Sequence, residues 1–160
     1  MARKLVAYFS ATGITAKMAE LVADAAGADV YQIQPAVKYT QEDLDWTNRE
    51  SRSSTEMNNK KSRPEMVEAD ARIEDYDVIF LGFPIWWYVA PTIINTFLEK
   101  YDFAGKKIIL FATSGGSGFG KTVEELKLSV ANDAQIVEGK LLNGKQTLAS
   151  VSEWIRSLKL

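Results

Sequence analysis

The sequence predicts an α/β fold: a three-layer α/β/α sandwich with a five-stranded parallel sheet. Three observations point there. Short apolar runs of strand length alternate with stretches of helical period, five times along the chain. The strongest runs are apolar on both faces, as parallel strands buried between helices must be. The chemically unusual loops all follow strands one, three and four, and parallel sheets bind ligands at the carboxyl ends of their strands.

The first strand is read from Lys4 to Phe9, and the first helix from Ile14 to Ala26, closed by Gly27. Met18, Leu21, Val22 and Ala25 supply its apolar stripe. The second strand covers Asp29 to Ile33. From Ala36 to about Ser62 the chain turns polar with no sustained period. Thr40 and Asp43 there suggest a capped turn. A loop this long is usually functional or hides an irregular element. A short helix is expected from Pro64 to Ala71. The third strand, Asp77 to Gly82, precedes a helix with Pro91 at its first position and Ile93, Ile94, Phe97, Leu98 and Tyr101 at helical spacing. The fourth strand is Lys107 to Thr113, followed by a helix with Val123, Leu126 and Val130 inward. The fifth is Ala134 to Glu138, interrupted near Gly139. A last helix uses Leu148, Val151, Trp154, Ile155 and Leu158. No shift in composition divides the chain, so residues 1–160 are expected to form one domain.

The 160 residues include no cysteine and no histidine. That excludes disulfides, thiolate catalysis, a Ser-His-Asp triad and histidine metal clusters, and no metal site is expected. A net charge of −2 offers no basic field for nucleic acid. The first apolar run is too short for a signal peptide, and no stretch reaches the length of a membrane span. A cytoplasmic protein is expected.

Three loops carry the candidate chemistry. Ser10-Ala11-Thr12-Gly13-Ile14-Thr15 joins a strand to a helix start, where unpaired N–H groups and the positive end of the dipole favour phosphate. Ser10, Thr12 and Thr15 add hydroxyls, and Gly13 lets backbone approach. Pro84-Ile85-Trp86-Trp87-Tyr88 sets three aromatics in a row, of which at least one is expected to stack on a flat ligand. Thr113-Ser114-Gly115-Gly116-Ser117-Gly118-Phe119-Gly120 holds four glycines in eight residues. It runs into a phosphate-loop text, Gly115-x-x-x-x-Gly120-Lys121-Thr122. Nucleotide hydrolases of that kind need a second strand ending in a metal-binding Asp. The third strand ends instead in Gly82-Phe83-Pro84, so the match is read as coincidence. The G-x-G-x-x-G of dinucleotide sites is absent after strand one.

Together the three loops resemble the flavodoxin family over essentially the whole chain. Ser10 to Thr15 is similar to its T-x-T-G-x-T phosphate loop, with Ser for the first Thr. Residues Pro84 to Tyr88 and Thr113 to Gly118 resemble the loops on either side of its flavin ring. The Tyr39–Glu56 segment, with Leu44-Asp45-Trp46 and Ser51-Arg52-Ser53-Ser54, resembles a bacterial subgroup with a P-I-W-W loop. The resemblance implies strand order 2-1-3-4-5 and FMN as cofactor. It places the phosphate on Ser10, Thr12, Gly13, Ile14 and Thr15. The ring then lies among Pro84, Ile85, Trp86, Trp87, Tyr88, Thr113, Ser114, Gly115, Gly116, Gly118 and Phe119. Trp86 or Trp87 is the expected stacking partner, ahead of Phe119. Backbone groups near Ile85, Trp86, Ser114 and Gly115 are expected at the ring edge.

No side chain need act as acid or base, because the flavin carries the redox chemistry. Low-potential electron transfer is the implied role, with a reductase and an acceptor protein, or a small electron acceptor, as partners. The family's electron carriers are strongly acidic beside the third loop. This chain is not, which keeps open an FMN-dependent NAD(P)H oxidoreductase acting on a quinone-like acceptor. A flavin-binding regulatory module is the third reading. Arg49 and Arg52 in the polar segment are read as solvated loop charges, with reach to a substrate or a partner as the alternative.

Overall fold

The structure, a computed structural model, describes residues 3–114 and 118–160. Its elements are β1 (Lys4–Tyr8), α1 (Ile14–Ala26), β2 (Asp29–Gln32), α2 (Arg52–Asn58), β3 (Val78–Pro84), α3 (Thr92–Lys100), β4 (Lys107–Thr113), α4 (Thr122–Lys127), β5 (Gln135–Leu141) and α5 (Leu148–Ser157), with a 3₁₀ turn at Ile73–Asp75. The five strands form one sheet in the order β2-β1-β3-β4-β5, and every pairing is parallel. This is the flavodoxin-like arrangement that the resemblance implied.

Alternate residues of the central strands feed two cores. Val6, Val78, Phe80, Ile109 and Phe111 pack with Ala19, Val22 and Ala23 of α1 and with Val151, Trp154 and Ile155 of α5. Leu5, Ala7, Ile79, Leu81, Phe83, Ile108 and Leu110 face the other way, toward Ile93, Ile94, Phe97 and Leu98 of α3 and Leu126 of α4. The apolar stripe of α1 is rotated from the expected one. Its buried residues are Thr15, Ala19, Val22 and Ala23. Small alanines let this helix lie close to the sheet, while Met18 and Leu21 are only half-buried.

Two stretches correct the sequence reading. The expected helix over 64–71 does not form. Ala36 N–H donates to Glu65 O at 2.8 Å and Val67 N–H to Gln34 O at 2.8 Å, so this chain runs extended against residues 34–36. Conversely, the polar segment contains α2. Ser51 caps it, accepting from Ser54 N–H at 3.3 Å. Arg52 and Glu56 pair across one turn at 3.0 Å. Its buried face is Ser53 and Ser54, so it has no hydrophobic period to find. Thr40 and Asp43 do cap each other's backbone N–H groups, at 2.9 and 3.1 Å. Smaller offsets occur at α3, where Pro91 is the N-cap residue, and at α4, which ends before Val130.

The expected interruption at Gly139 is a bulge inside β5. Ile109 pairs with Val137, but Phe111 pairs with Lys140, so β5 carries one extra residue there. A Cβ on Gly139 would overlap the Leu110 carbonyl oxygen and press on the Trp154 ring. Gly139→Ala is therefore expected to lower stability by about 1–3 kcal/mol or more. The check is a lower urea midpoint at unchanged m-value.

Candidate functional site

A cleft of about 780 Å³ opens at the carboxyl ends of the strands. It is lined by the loops after β1, β3, β4 and β5 and by part of the segment between β2 and β3. No described lining residue is Asp, Glu, Lys or Arg.

One end of the cleft is the start of α1. Gly13 is its N-cap, at φ +92°, with no side chain capping the helix. The N–H groups of the first helical turn have no carbonyl partners within the helix. Thr12 and Ile14 line the cleft and are exposed. Ser10 Oγ accepts from Gly13 N–H at 3.0 Å and shapes the turn from behind. Thr15, only 2% exposed, shares a 2.7 Å hydroxyl hydrogen bond with Thr113 at the end of β4. That bond pins the first turn of α1 across the sheet edge. Thr15 is thus committed to a protein partner, while Thr12 is exposed on the cleft wall. Lys17 is exposed and does not line it.

The aromatic loop forms the opposite wall. Trp86 and Val89 exchange backbone hydrogen bonds at 2.9 and 3.2 Å, closing a four-residue turn. Its central residues, Trp87 and Tyr88, have φ of +50° and +68°, the pattern of a type I′ turn that favours Gly or Asn. Each such residue costs roughly 1–2 kcal/mol of strain. Trp86 turns inward and meets Phe9 and Tyr39 edge-on, at centroid distances of 5.8 and 5.5 Å. Trp87 and Tyr88 stay 43% and 62% exposed at the mouth of the cleft. Of the two tryptophans, Trp87 is the one displayed and Trp86 the one anchored.

Three of the amides expected at the ring edge have protein partners. Ile85 N–H donates to Thr113 O at 2.9 Å, Trp86 N–H to Val89 O at 2.9 Å, and Ser114 N–H to Asn143 Oδ1 at 2.8 Å.

In the glycine loop, Thr113 and Ser114 line the cleft. Gly115 and Gly116 lie outside the described residues. Gly118 is exposed but off the cleft wall, and Phe119, 7% exposed, packs in the core and does not line the cleft. The phosphate-loop text is used structurally. Gly120, at φ +53°, has no Cβ because one would overlap the Tyr88 carbonyl oxygen. The buried Thr122 hydroxyl donates to Phe119 O and lies 3.5 Å from Tyr88 O. Lys121 is exposed and outside the cleft.

Several wall residues were not anticipated: Met18, Leu44, Trp46, Ser53, Leu142, Asn143 and Gly144. Residues 142–144 follow β5 and obey the same strand-end rule, but the sequence reading stopped that strand at Glu138. Leu44, Trp46 and Ser53 come from the polar segment, which a clasp holds in place. The Tyr39 hydroxyl donates to Glu56, Arg52 pairs with Glu56, and the Arg52 guanidinium lies 3.8 Å from the Tyr39 ring centroid. Burial, and then the hydrogen bond to Glu56, push the Tyr39 phenol far above its ordinary range, so it stays neutral. Arg52 also donates to Val37 O at 2.6 Å. Arg52 is therefore an internal fastener, while Arg49 is exposed.

A doubly covered parallel sheet in this strand order, with its cleft beside the first helix, defines a flavodoxin-like α/β protein. The chain belongs to the flavodoxin family: the family model described as Flavodoxin matches residues 3–158. Among solved structures, a Bacteroides eggerthii protein described as a flavoprotein is 46% identical, with TM-score 0.92, over 100% of this chain and 99% of that one. A second, from Bacteroides uniformis, is 50% identical with TM-score 0.91 over 97% and 98%. A Lactobacillus acidophilus flavoprotein solved with FMN shares the fold at 21% identity and TM-score 0.70, over 97% and 99%. No curated protein matches the sequence. Among the described residues no helix is long and apolar enough to cross a membrane.

The Thr15–Thr113 pair is testable by a double-mutant cycle. Either Thr→Val change alone strands a buried hydroxyl and is expected to cost about 1–3 kcal/mol. The double change is expected to cost less than the sum. Urea unfolding of the three variants measures the coupling.

Proposed function

We propose that the cleft binds FMN and that the protein works in low-potential electron transfer in the cytoplasm. The observation that carries this reading is one cleft uniting an open helix start, an aromatic turn and a wall without charge. Thr12 and Ile14, on either side of the Gly13 N-cap, are exposed and line the cleft, so the helix start is open to a ligand. Phosphate there would be met by the N–H groups of Ile14, Thr15 and Ala16, the helix dipole and the Thr12 hydroxyl, with no cation needed. Trp87 is the displayed ring for a flat partner. Bound FMN supplies the electron-transfer chemistry. The uncharged wall disfavours added negative charge in the cleft, which favours a low potential. The Lactobacillus acidophilus relative solved with FMN supports the same cofactor.

A second reading is an FMN-dependent NAD(P)H oxidoreductase with a quinone-like acceptor. The wall of Leu44, Trp46 and Ser53, beyond what the phosphate and ring loops supply, favours it.

Purified protein stripped of ligand is expected to take up FMN and turn yellow. Thr12→Val should weaken FMN by about tenfold, the scale of one charge-assisted hydrogen bond, and riboflavin far less. Lys121→Ala should leave both affinities unchanged. Equal losses for FMN and riboflavin would move the phosphate elsewhere, and loss of binding on Lys121→Ala would restore the phosphate-loop reading. Anaerobic stopped-flow separates the two roles. A carrier is reduced slowly by NADPH alone and fast once a flavodoxin reductase is added, whereas an oxidoreductase needs no added protein.

A further inference from the structure

We propose that the segment between β2 and β3 builds a second subsite in this cleft, for an uncharged planar electron acceptor of the quinone class, with Trp46 as its contact surface. The proposal rests on the FMN reading and adds the second molecule to it.

Size is the first argument. The cleft measures about 780 Å³, toward the upper end of the roughly 300–1,000 Å³ usual for small-molecule sites, and its lining extends past the helix start and the strand-end loops to Leu44, Trp46 and Ser53. The second argument is placement. Trp46 is 71% exposed, an unusual cost for so large an apolar side chain, yet it faces the cleft that Trp87 and Tyr88 also rim. Leu44 stands beside it on the same wall. None of these belongs to the helix start that would seat the phosphate.

Fixity is the third argument. An idle surface loop has no need of a clasp, but this one has two attachments. The Tyr39–Glu56–Arg52 cluster ties α2 to the start of the segment, and the Tyr39 ring packs on Trp86 under the aromatic turn. Ser53 N–H donates to Asp43 O at 2.9 Å, which sets the Leu44–Trp46 stretch against α2. The wall bearing Trp46 is thus joined to the loop bearing Trp87.

Charge is the fourth. Away from the helix start the wall offers the Ser53 hydroxyl and the Asn143 amide, but no ionised described side chain. Asn143 Oδ1 accepts from Ser114 N–H, which turns its Nδ2 into the donor end. Such a lining accepts carbonyl oxygens and penalises a charged group that must shed water without a counter-ion. A flat, neutral, carbonyl-bearing molecule fits all four observations.

The test is equilibrium dialysis of the oxidised, FMN-loaded protein against 1,4-naphthoquinone and, separately, its 2-sulfonate. Without cysteine the protein cannot consume the quinone by thiol addition. FMN affinity of every variant is measured first. The neutral quinone is expected to bind saturably, with the sulfonate about tenfold weaker. Trp46→Ala should weaken the quinone by about tenfold and change FMN affinity less than twofold, and Trp46→Phe should restore most of the loss. Unsaturable uptake, equal binding of the sulfonate, or an unchanged affinity in Trp46→Ala would each overturn the subsite while leaving the FMN reading standing. Absence of FMN uptake in the unsubstituted protein would overturn the FMN reading instead.

Discussion

The geometry of the cleft depends on the reversal of strand order beside β1. The chain leaves β1 through α1 on one face of the sheet and places β2 outside it. It must then pass back over β1 to reach β3 on the other side. Parallel crossovers are right-handed, so the return runs over the face opposite α1. Ile33, Ala71 and Ile73 mark that path in the opposite core. The loops after β1 and β3 therefore diverge, and a crevice opens above the strand ends. The buried hydroxyl bond from Thr15 to Thr113 spans that crevice at its floor, fixing α1 relative to β4. The long return path also explains why the cleft has a wall beyond the strand-end loops: the residues that carry Leu44, Trp46 and Ser53 are part of the crossover itself.

The aromatic turn is held against its own backbone preference. Two bulky residues at positive φ would relax if the turn stood alone. Three contacts prevent it. Trp86 is locked between Phe9 and Tyr39, the Trp86–Val89 peptide bonds close the turn, and the Gly120–Thr122 stretch abuts the Tyr88 carbonyl. Anchoring one tryptophan is what allows the next to be displayed. The same economy of charge runs through the site. A helix start stands at one end and aromatic side chains at the other, and no described lining residue between them carries a charge.

Sequence reading succeeded where hydrophobic period and strand length agreed. The bounds of α1 and β4 are those read from the residues, and β3 runs two residues further because Pro84 still pairs with Thr113. It failed where the stabilising groups were polar or the deviation was local. The buried face of α2 is serine, and its visible signals were the Ser51 cap and the Arg52–Glu56 spacing. A single bulged residue at Glu138–Gly139 hid the last part of β5, and with it the Leu142–Gly144 wall. Phe119 read as a loop aromatic, but the chain turns it into the core. Of the three loops singled out, each has residues on the cleft wall. What one-dimensional reading missed was the partner each hydroxyl and amide had already found, as with Thr15, Ile85 and Ser114.

The phosphate-loop text shows the same point from the other side. Gly115-x-x-x-x-Gly120-Lys121-Thr122 has the letters of a phosphate cradle and stands between a strand and a helix. In a cradle the second glycine lets backbone reach an anion, and the hydroxyl reaches a metal. Here Gly120 lets backbone reach the Tyr88 carbonyl, and the Thr122 hydroxyl is turned to Phe119 and Tyr88. Both groups are taken up by the protein's own chain, and Lys121 is exposed. The stretch is a buttress. Its glycine is required by close approach as strictly as a phosphate would require it, but the close neighbour is the protein's own chain.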